Sequence, residues 1–267
     1  MDTIKYRPIY GGSTVIYAAA QIDLSWLTVS PQGLLWSNKG TYSGGAWSGG
    51  GVYLNGTSLS AWTNSAFWTG SFGSNSYWVD DGQALRGTPN PQLLGASAAL
   101  APHAGYGAAF AGNSVYFANN PDPTSIKKAV LYSGTTTTFE AVFGQKYMSP
   151  VTDGTSIFYM VTAPVSDVGI WKKPISGGAA TKLVASNMQG TWISTDGTWI
   201  YWFDSTGVTS QTTQLQKVMK ISANGGSPTQ IGSILFPWRY PRFNSSCVFG
   251  FSWLSSNGNG AIVGMEK

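Results

Sequence analysis

Thr191-Trp-Ile-Ser-Thr-Asp-Gly-Thr-Trp-Ile-Tyr-Trp-Phe-Asp204 reads as a strand, a tight turn and a second strand. The first strand ends at about Ser194. Asp196-Gly197 is the dipeptide expected to supply the two positive φ angles of a tight hairpin turn. The second strand, Trp199-Ile-Tyr-Trp-Phe203, is aromatic and β-branched, the composition of a strand covered on both faces. Shortened or blurred copies of this unit recur along the chain.

Composition agrees with an all-β reading. The 267 residues include 34 Gly, only 10% are charged and 14% are aromatic. Strong helix formers are scarce, while Gly, Ser, Thr and Asn abound, so propensity favours strands and turns. A uniform composition with one repeating pattern predicts a single domain over 1–267. The net charge is +4, but the basic residues are scattered, with Lys127-Lys128 and Lys172-Lys173 the only adjacent pairs. A phosphate-binding face needs clustered cations, so nucleic acid is not an expected partner, and the lysines read as solubilising strand edges. Cys247 has no second cysteine to pair with and reads as a small buried hydrophobe in Cys-Val-Phe-Gly-Phe251. The N-terminus carries no signal-peptide pattern, and no stretch approaches the roughly 18 apolar residues of a membrane span. The chain starts inside a repeat, which suggests a removed leader.

Residues 4–38 can be laid on residues 170–204 without a gap. Ile4-Lys-Tyr-Arg-Pro-Ile-Tyr-Gly-Gly12 falls on Ile170-Trp-Lys-Lys-Pro-Ile-Ser-Gly-Gly178, and Val218-Met-Lys-Ile-Ser-Ala-Asn-Gly-Gly226 is a third copy. Each Gly-Gly reads as a hairpin turn. Carried through every copy, the Trp202 position gives Trp36, Trp78, Phe117, Tyr159, Trp202 and Gly250, at spacings of 42, 39, 42, 43 and 48. Such a period is close to the roughly 40 to 50 residues of a four-stranded propeller blade. The expected fold is a six-bladed β-propeller of four-stranded antiparallel blades, starting near residues 23, 65, 105, 148, 190 and 238. In the blade at 148–186, strands are expected at Met148–Thr152, Ser156–Val161, Gly169–Ile175 and Thr181–Ala185. Residues 1–21 help close the last blade, so the N- and C-termini share it, with Thr14–Ala20 as its outer strand. Residues 3–9 and 261–267 both match a third strand, leaving two claimants for one place.

The chain resembles the YWTD-type six-bladed propellers, known from low-density lipoprotein receptor ectodomains and bacterial secreted proteins. Ile200-Tyr-Trp-Phe-Asp204, Tyr77-Trp-Val-Asp80 and Leu35-Trp-Ser-Asn38 carry the likeness, together with the third strands Ile170–Gly178 and Val218–Gly226. This chain lacks the family's Thr before the Asp, has Asn119 in place of the Asp in blade three, and has no motif in blade six. The resemblance implies that Asp80 and Asp204 are structural, tying blades together beside Trp36, Trp78 and Trp202. It also implies binding rather than chemistry.

Residue types for catalysis are few: one histidine, His103, and two glutamates, Glu140 and Glu266. One His and one Cys on different blades make no zinc site, Asp80-Asp81-Gly82 and Asn119-Asn120-Pro-Asp122 read as turns, and no Gly-x-Ser-x-Gly elbow is present. No metal or cofactor is expected. Ser194–Trp199 is one residue short of the Asp-box turn of sialidase propellers. Arg239 and Arg242, in Trp238-Arg-Tyr-Pro-Arg-Phe243, form an unusual polar-aromatic stretch.

What remains is an aromatic surplus, 12 Trp and 13 Tyr. Flat rings stack on the apolar faces of sugars or anchor protein partners. Trp26, Trp68 and Trp192 occupy equivalent inner-strand places, with Tyr240 as the approximate fourth, although packing of one blade against the next is the simpler account of them. Trp47 and Trp62, in Gly/Ser/Asn-rich outer segments, could rim a groove. The reading is a non-catalytic recognition module for a glycan or a protein, at the cell exterior or surface. Two other classes stand beside it: a funnel-site lyase or hydrolase using His103, Arg239, Arg242 and an aspartate, and an assembly protein that self-associates through its terminal strands. Asn55-Gly-Thr and Asn244-Ser-Ser match glycosylation acceptors.

Overall fold

The structure, a computed structural model, describes residues 2–6, 15–21, 24–30, 33–38, 41–44, 46–48, 50–55, 57–61, 66–72, 75–80, 85–87, 92–93, 108–118, 123–131, 135–185, 193–205, 215–235, 242–243, 247–254 and 259–266. Two compact units divide the chain: residues 1–105 with 129–136, and residues 106–128 with 137–267. No helix among the described residues is long and apolar enough to cross a membrane.

The first strands are β1 (Asp2–Tyr6), β2 (Val15–Gln21), β3 (Leu24–Ser30), β4 (Gly33–Asn38), β5 (Thr41–Ser43), β6 (Ala46–Ser48), β7 (Gly51–Leu54), β8 (Thr57–Ala61), β9 (Ala66–Phe72), β10 (Asn75–Asp80), β11 (Leu85–Gly87) and β12 (Gln92–Leu93). They form the four-stranded sheets β3-β4-β7-β8 and β12-β11-β10-β9, with β1-β2 and β5-β6 as two-stranded ribbons. After them come β13 (Ala108–Ala111), β14 (Ser114–Ala118), β15 (Ile126–Val130), β16 (Thr136–Glu140), β17 (Lys146–Thr152), β18 (Ser156–Ala163), β19 (Gly169–Pro174) and β20 (Thr181–Val184). The last are β21 (Ser194–Thr195), β22 (Trp199–Asp204), β23 (Leu215–Ser222), β24 (Thr229–Leu235), β25 (Arg242–Phe243), β26 (Cys247–Leu254) and β27 (Asn259–Glu266). Their sheets are β13-β14-β15-β16, β17-β18-β19-β20, β21-β22-β23-β24 and β25-β26-β27.

Each position of the 43-residue period lies on the second strand of its sheet: Trp36 on β4, Trp78 on β10, Phe117 on β14, Tyr159 on β18, Trp202 on β22 and Gly250 on β26. The reason is visible in β22, where Ile200, Tyr201, Trp202 and Phe203 are all fully buried. Successive strand side chains point to opposite faces. Accordingly Ile200 and Trp202 pack with Phe158, Met160 and Ile170 of the preceding sheet, while Tyr201 and Phe203 pack with Val248 of the following one. The strand β18 repeats the division, with Ile157, Tyr159 and Val161 against Tyr116 and Ala109, and Phe158 and Met160 against Trp202. A strand covered on both faces has to be apolar throughout, and burying each such side chain contributes about 1.5–3 kcal/mol.

Strand bounds in the fourth four-stranded sheet fall within two residues of those expected. The turn chemistry differs from expectation. Gly197 stands at φ 89° and Gly154 at φ 90°, but neither Asp196 nor Asp153 has positive φ. A carboxylate does the second residue's work: Asp196 Oδ1 accepts from the Thr198 and Trp199 amides at 3.0 and 2.8 Å. Thr195 Oγ1 meanwhile accepts from the Gly197 amide and donates to the Trp199 carbonyl. The Thr152-Asp153-Gly154-Thr155 turn repeats all four contacts.

The lysine pair of β19 also departs from its expected role on a strand edge. Lys172 Nζ donates to the Ala223 carbonyl at 2.8 Å and lies 5.4 Å from the Phe158 ring centroid. Lys173 Nζ donates to the Phe139 carbonyl at 2.9 Å and pairs with Glu140 Oε2 at 2.7 Å. Adjacent residues on a strand face opposite ways, so the pair ties its sheet to the sheet before and the sheet after. Cys247 is half-buried rather than buried. At the chain ends both claimants for the third-strand place are strands, but β27 takes it by pairing with β26 over eight residues, while β1 pairs with β2 in a separate ribbon. Among the described residues the last sheet therefore has three strands, and Thr14–Ala20 is not its outer strand as expected, because β2 makes its described pairing with β1.

Candidate functional site

Two connections leave the same end of the β17–β20 sheet. Lys146, which opens β17, lies opposite Ala163, which ends β18, so residues 141–145 and 164–168 spring from paired strand ends. Paired strands lie roughly 5 Å apart, which makes the two loops neighbours. The first turns at Gly144, φ 80°, and closes with the Gln145 amide donating to the Val142 carbonyl at 3.1 Å. Val142 N–H donates to the Tyr147 hydroxyl at 2.8 Å, which itself donates to Gln145 Oε1 at 2.9 Å. Burial, with the nearby Glu140 and Asp167 carboxylates, overcomes the Val142 amide and pushes the Tyr147 phenol up to about 12.

The second loop is a 3₁₀ turn, Val165–Asp167, in which the Asp167 amide donates to the Pro164 carbonyl at 2.9 Å. Trp171 Nε1 donates to the Asp167 carbonyl and Lys182 Nζ to the Ser166 carbonyl, both at 2.9 Å. One bond joins the two loops. Gln145 Nε2 donates to Asp167 Oδ2 at 2.6 Å, a charge-assisted contact, while Ser166 Oγ donates to Asp167 Oδ1 at 3.2 Å.

With their polar atoms turned inward, these loops leave apolar side chains in water. Phe143 is 104% exposed, Val165 92% and Val142 47%. Four large hydrophobic residues are exposed among the described residues; three stand here, and the other is Leu215. Beneath them, Glu140 and Lys173 close a half-buried ion pair whose ammonium lies 5.2 Å from the Phe139 ring centroid. Burial raises the Tyr159 phenol, reinforced by Glu140 and Tyr147. These titratable groups already serve one another: the Tyr147 hydroxyl donates to an amide oxygen rather than to a base, and Lys173 is held by Glu140. The arrangement is suited to holding a surface in one shape. No three His, Cys, Asp or Glu among the described residues are placed to hold a metal ion.

Residues singled out from the sequence are placed elsewhere. Trp26 and Trp68 stand on β3 and β9, opposite Ser37 and Val79, and Trp47 stands on β6 of the small ribbon. Arg242 is on β25 opposite Phe249. Trp192, Tyr240, Trp62, Arg239 and His103 lie outside the described residues. Trp36 and Trp202 are buried, Trp36 stacked on Tyr53 at 5.5 Å between centroids. Asp204 is half-buried at the end of β22, and Asp80 and Trp78 are on β10. The Phe143 and Val165 pair escaped sequence reading, because connections of five residues are too short to carry a periodic signal. A phenylalanine beside Gly144 in a segment too short for a strand was the available clue.

Neither a known protein family nor a curated protein matches the sequence. Solved structures do match in shape. A nidogen/laminin complex structure is 9% identical, with 90% of this chain covering 88% of the matched chain at a TM-score of 0.59. An oligogalacturonate lyase in complex with manganese is 12% identical, covering 97% and 83% at 0.58. The extracellular domain of a hybrid two-component system from B. thetaiotaomicron is 8% identical, covering 91% of this chain and 33% of that one at 0.57. At such identities the likeness concerns the fold alone: an all-β propeller of antiparallel sheets.

Proposed function

We propose that the chain is a non-catalytic recognition module that takes a protein partner on the paired loops 141–145 and 164–168. The observation carrying this reading is the full exposure of Phe143 and Val165 on loops joined by the Gln145–Asp167 bond. An aromatic anchor on a loop that is already held before association costs little loop ordering on binding, which suits an interface hot spot. The Gln145, Tyr147 and Asp167 side chains are engaged with one another, and the side chains left in water are apolar, which suits an apolar contact better than the many hydroxyls of a glycan. The matched nidogen/laminin complex adds a propeller-like fold in a protein complex. The matched oligogalacturonate lyase leaves an enzyme class within the fold's reach, but the side chains already paired with one another at these loops favour binding.

The same reading takes the propeller as six-bladed and YWTD-like over a single domain 1–267, supported by the six period positions on six second strands. It places the protein outside the cell, as the extracellular-domain neighbour suggests. Glycan binding through Trp26, Trp68 and Trp192, and self-association through terminal strands, are its competitors. A photo-crosslinking residue at position 143, exposed to an extract of the source organism's surface proteins, tests the reading beside a glycan array. Protein adducts that vanish with Val165→Ser are expected. Array hits lost on Trp26→Phe, Trp68→Phe and Trp192→Phe, without adducts, would move the site to the tryptophans.

A further inference from the structure

The two loops also define the chemistry of what meets them. We propose that the partner is a protein segment presenting an apolar cleft with carboxylates on its rim, an inference that rests on the recognition reading above. The cleft follows from shape. Phe143 and Val165 are exposed almost completely, so they protrude from the surface rather than lying flush with it, and a protruding side chain is buried only by a recess.

The carboxylate rim follows from charge. Lys146 is exposed at the strand end between the loops, and Lys182 holds its ammonium against the Ser166 carbonyl. Facing them, the Asp167 carboxylate accepts from Gln145 and Ser166, and Glu140 is paired with Lys173. Two ammonium groups against one already engaged carboxylate leave the rim of the patch positive, in a chain whose net charge is +4. An acidic partner would be steered to it, and the attraction would weaken with salt.

The experiment is selection of a displayed library of a small folded domain, randomised over the walls and rim of a surface cleft, against the whole protein, with selected domains then purified for affinity measurement. Domains combining an apolar cleft with Asp or Glu at its rim are expected. Their binding should fall at least about thirtyfold in the Phe143→Ser/Val165→Ser double variant, the loss of a hot-spot anchor. It should fall about fivefold in Lys146→Glu and weaken with added salt. Selected domains whose rims are basic or uncharged, or that ignore Lys146→Glu, overturn the acidic rim while sparing the recognition reading. A library that yields nothing above background, or domains that bind the double variant equally well, overturns both. Phosphatidylserine-containing vesicles serve as the parallel probe: binding to them that the double variant loses, with no selected domain, assigns the patch to a membrane surface instead.

Discussion

At the Asp153–Gly154 end of the β17–β20 sheet, Thr152 and Asp153 direct their polar atoms onto the turn's own backbone, the Thr155 hydroxyl donates to the Asp153 carboxylate, and no large apolar side chain is left exposed. At the opposite end, Gln145, Tyr147 and Asp167 bond across two loops, and Phe143 and Val165 are left in water. Both ends are short connections with paired polar side chains. What separates them is the range of the bonds. Contacts two to four residues apart make a turn that closes on itself, as the Asp196 turn does again one sheet later. A contact from residue 145 to residue 167 instead fixes two loops against each other and makes a surface of them. The first arrangement serves the fold, and the second leaves apolar area exposed.

Breaking the support under the loop end should give the largest effect. Glu140→Ala leaves the half-buried Lys173 ammonium without its carboxylate and should cost about 3 kcal/mol, read as a lower urea midpoint at unchanged slope. A loss as small as that of a surface pair would show that water already screens it. At the turns, Asp196→Ala should cost about 2 kcal/mol and Asp153→Ala about 1 kcal/mol. The asymmetry comes from Tyr201: its buried hydroxyl donates to Asp196 Oδ2 at 2.8 Å, whereas Asp153 takes the exposed Thr155 hydroxyl. Equal losses would mean that the backbone contacts carry both turns alone.

Acid sharpens the same contrast with a smaller effect. Burial pushes the Asp153 carboxyl up, but the Thr155 and Ser156 amides, the Thr155 hydroxyl and the Lys172 ammonium outweigh it and hold the group below its ordinary value. A depressed folded pKa contributes stability that is complete above the unfolded value, about 3.9, and lost as pH falls through the folded one. The stability gap between the wild-type chain and Asp153→Asn should therefore narrow from roughly pH 5 to pH 2. A gap independent of pH would assign the turn's contribution to geometry rather than charge. The smallest change is expected at the loop tips: Phe143→Ser/Val165→Ser should move the urea midpoint by less than about 0.5 kcal/mol of stability. A large loss there would make the tips part of the fold and remove the distinction between the two ends.

The repeat, the all-β class and the strand bounds of the clearest sheet were legible because they depend on local residue order. A second strand buried on both faces must be continuously apolar, and a turn needs its glycine within a residue or two, so Trp199–Phe203 and Asp196-Gly197 declare themselves in any one copy. The exposed loop pair and the two-way lysines were not legible. Phe143 is an ordinary apolar residue until Gln145 meets Asp167, and Lys172-Lys173 is an ordinary cationic pair until the carbonyls of Ala223 and Phe139 arrive beside it. Sequence alone determined where the chain extends and turns, since those choices are made over a few neighbouring residues. Only the tertiary structure decided which side chains were left facing water, because that depends on partners 22, 34 and 51 residues away whose approach no local pattern records.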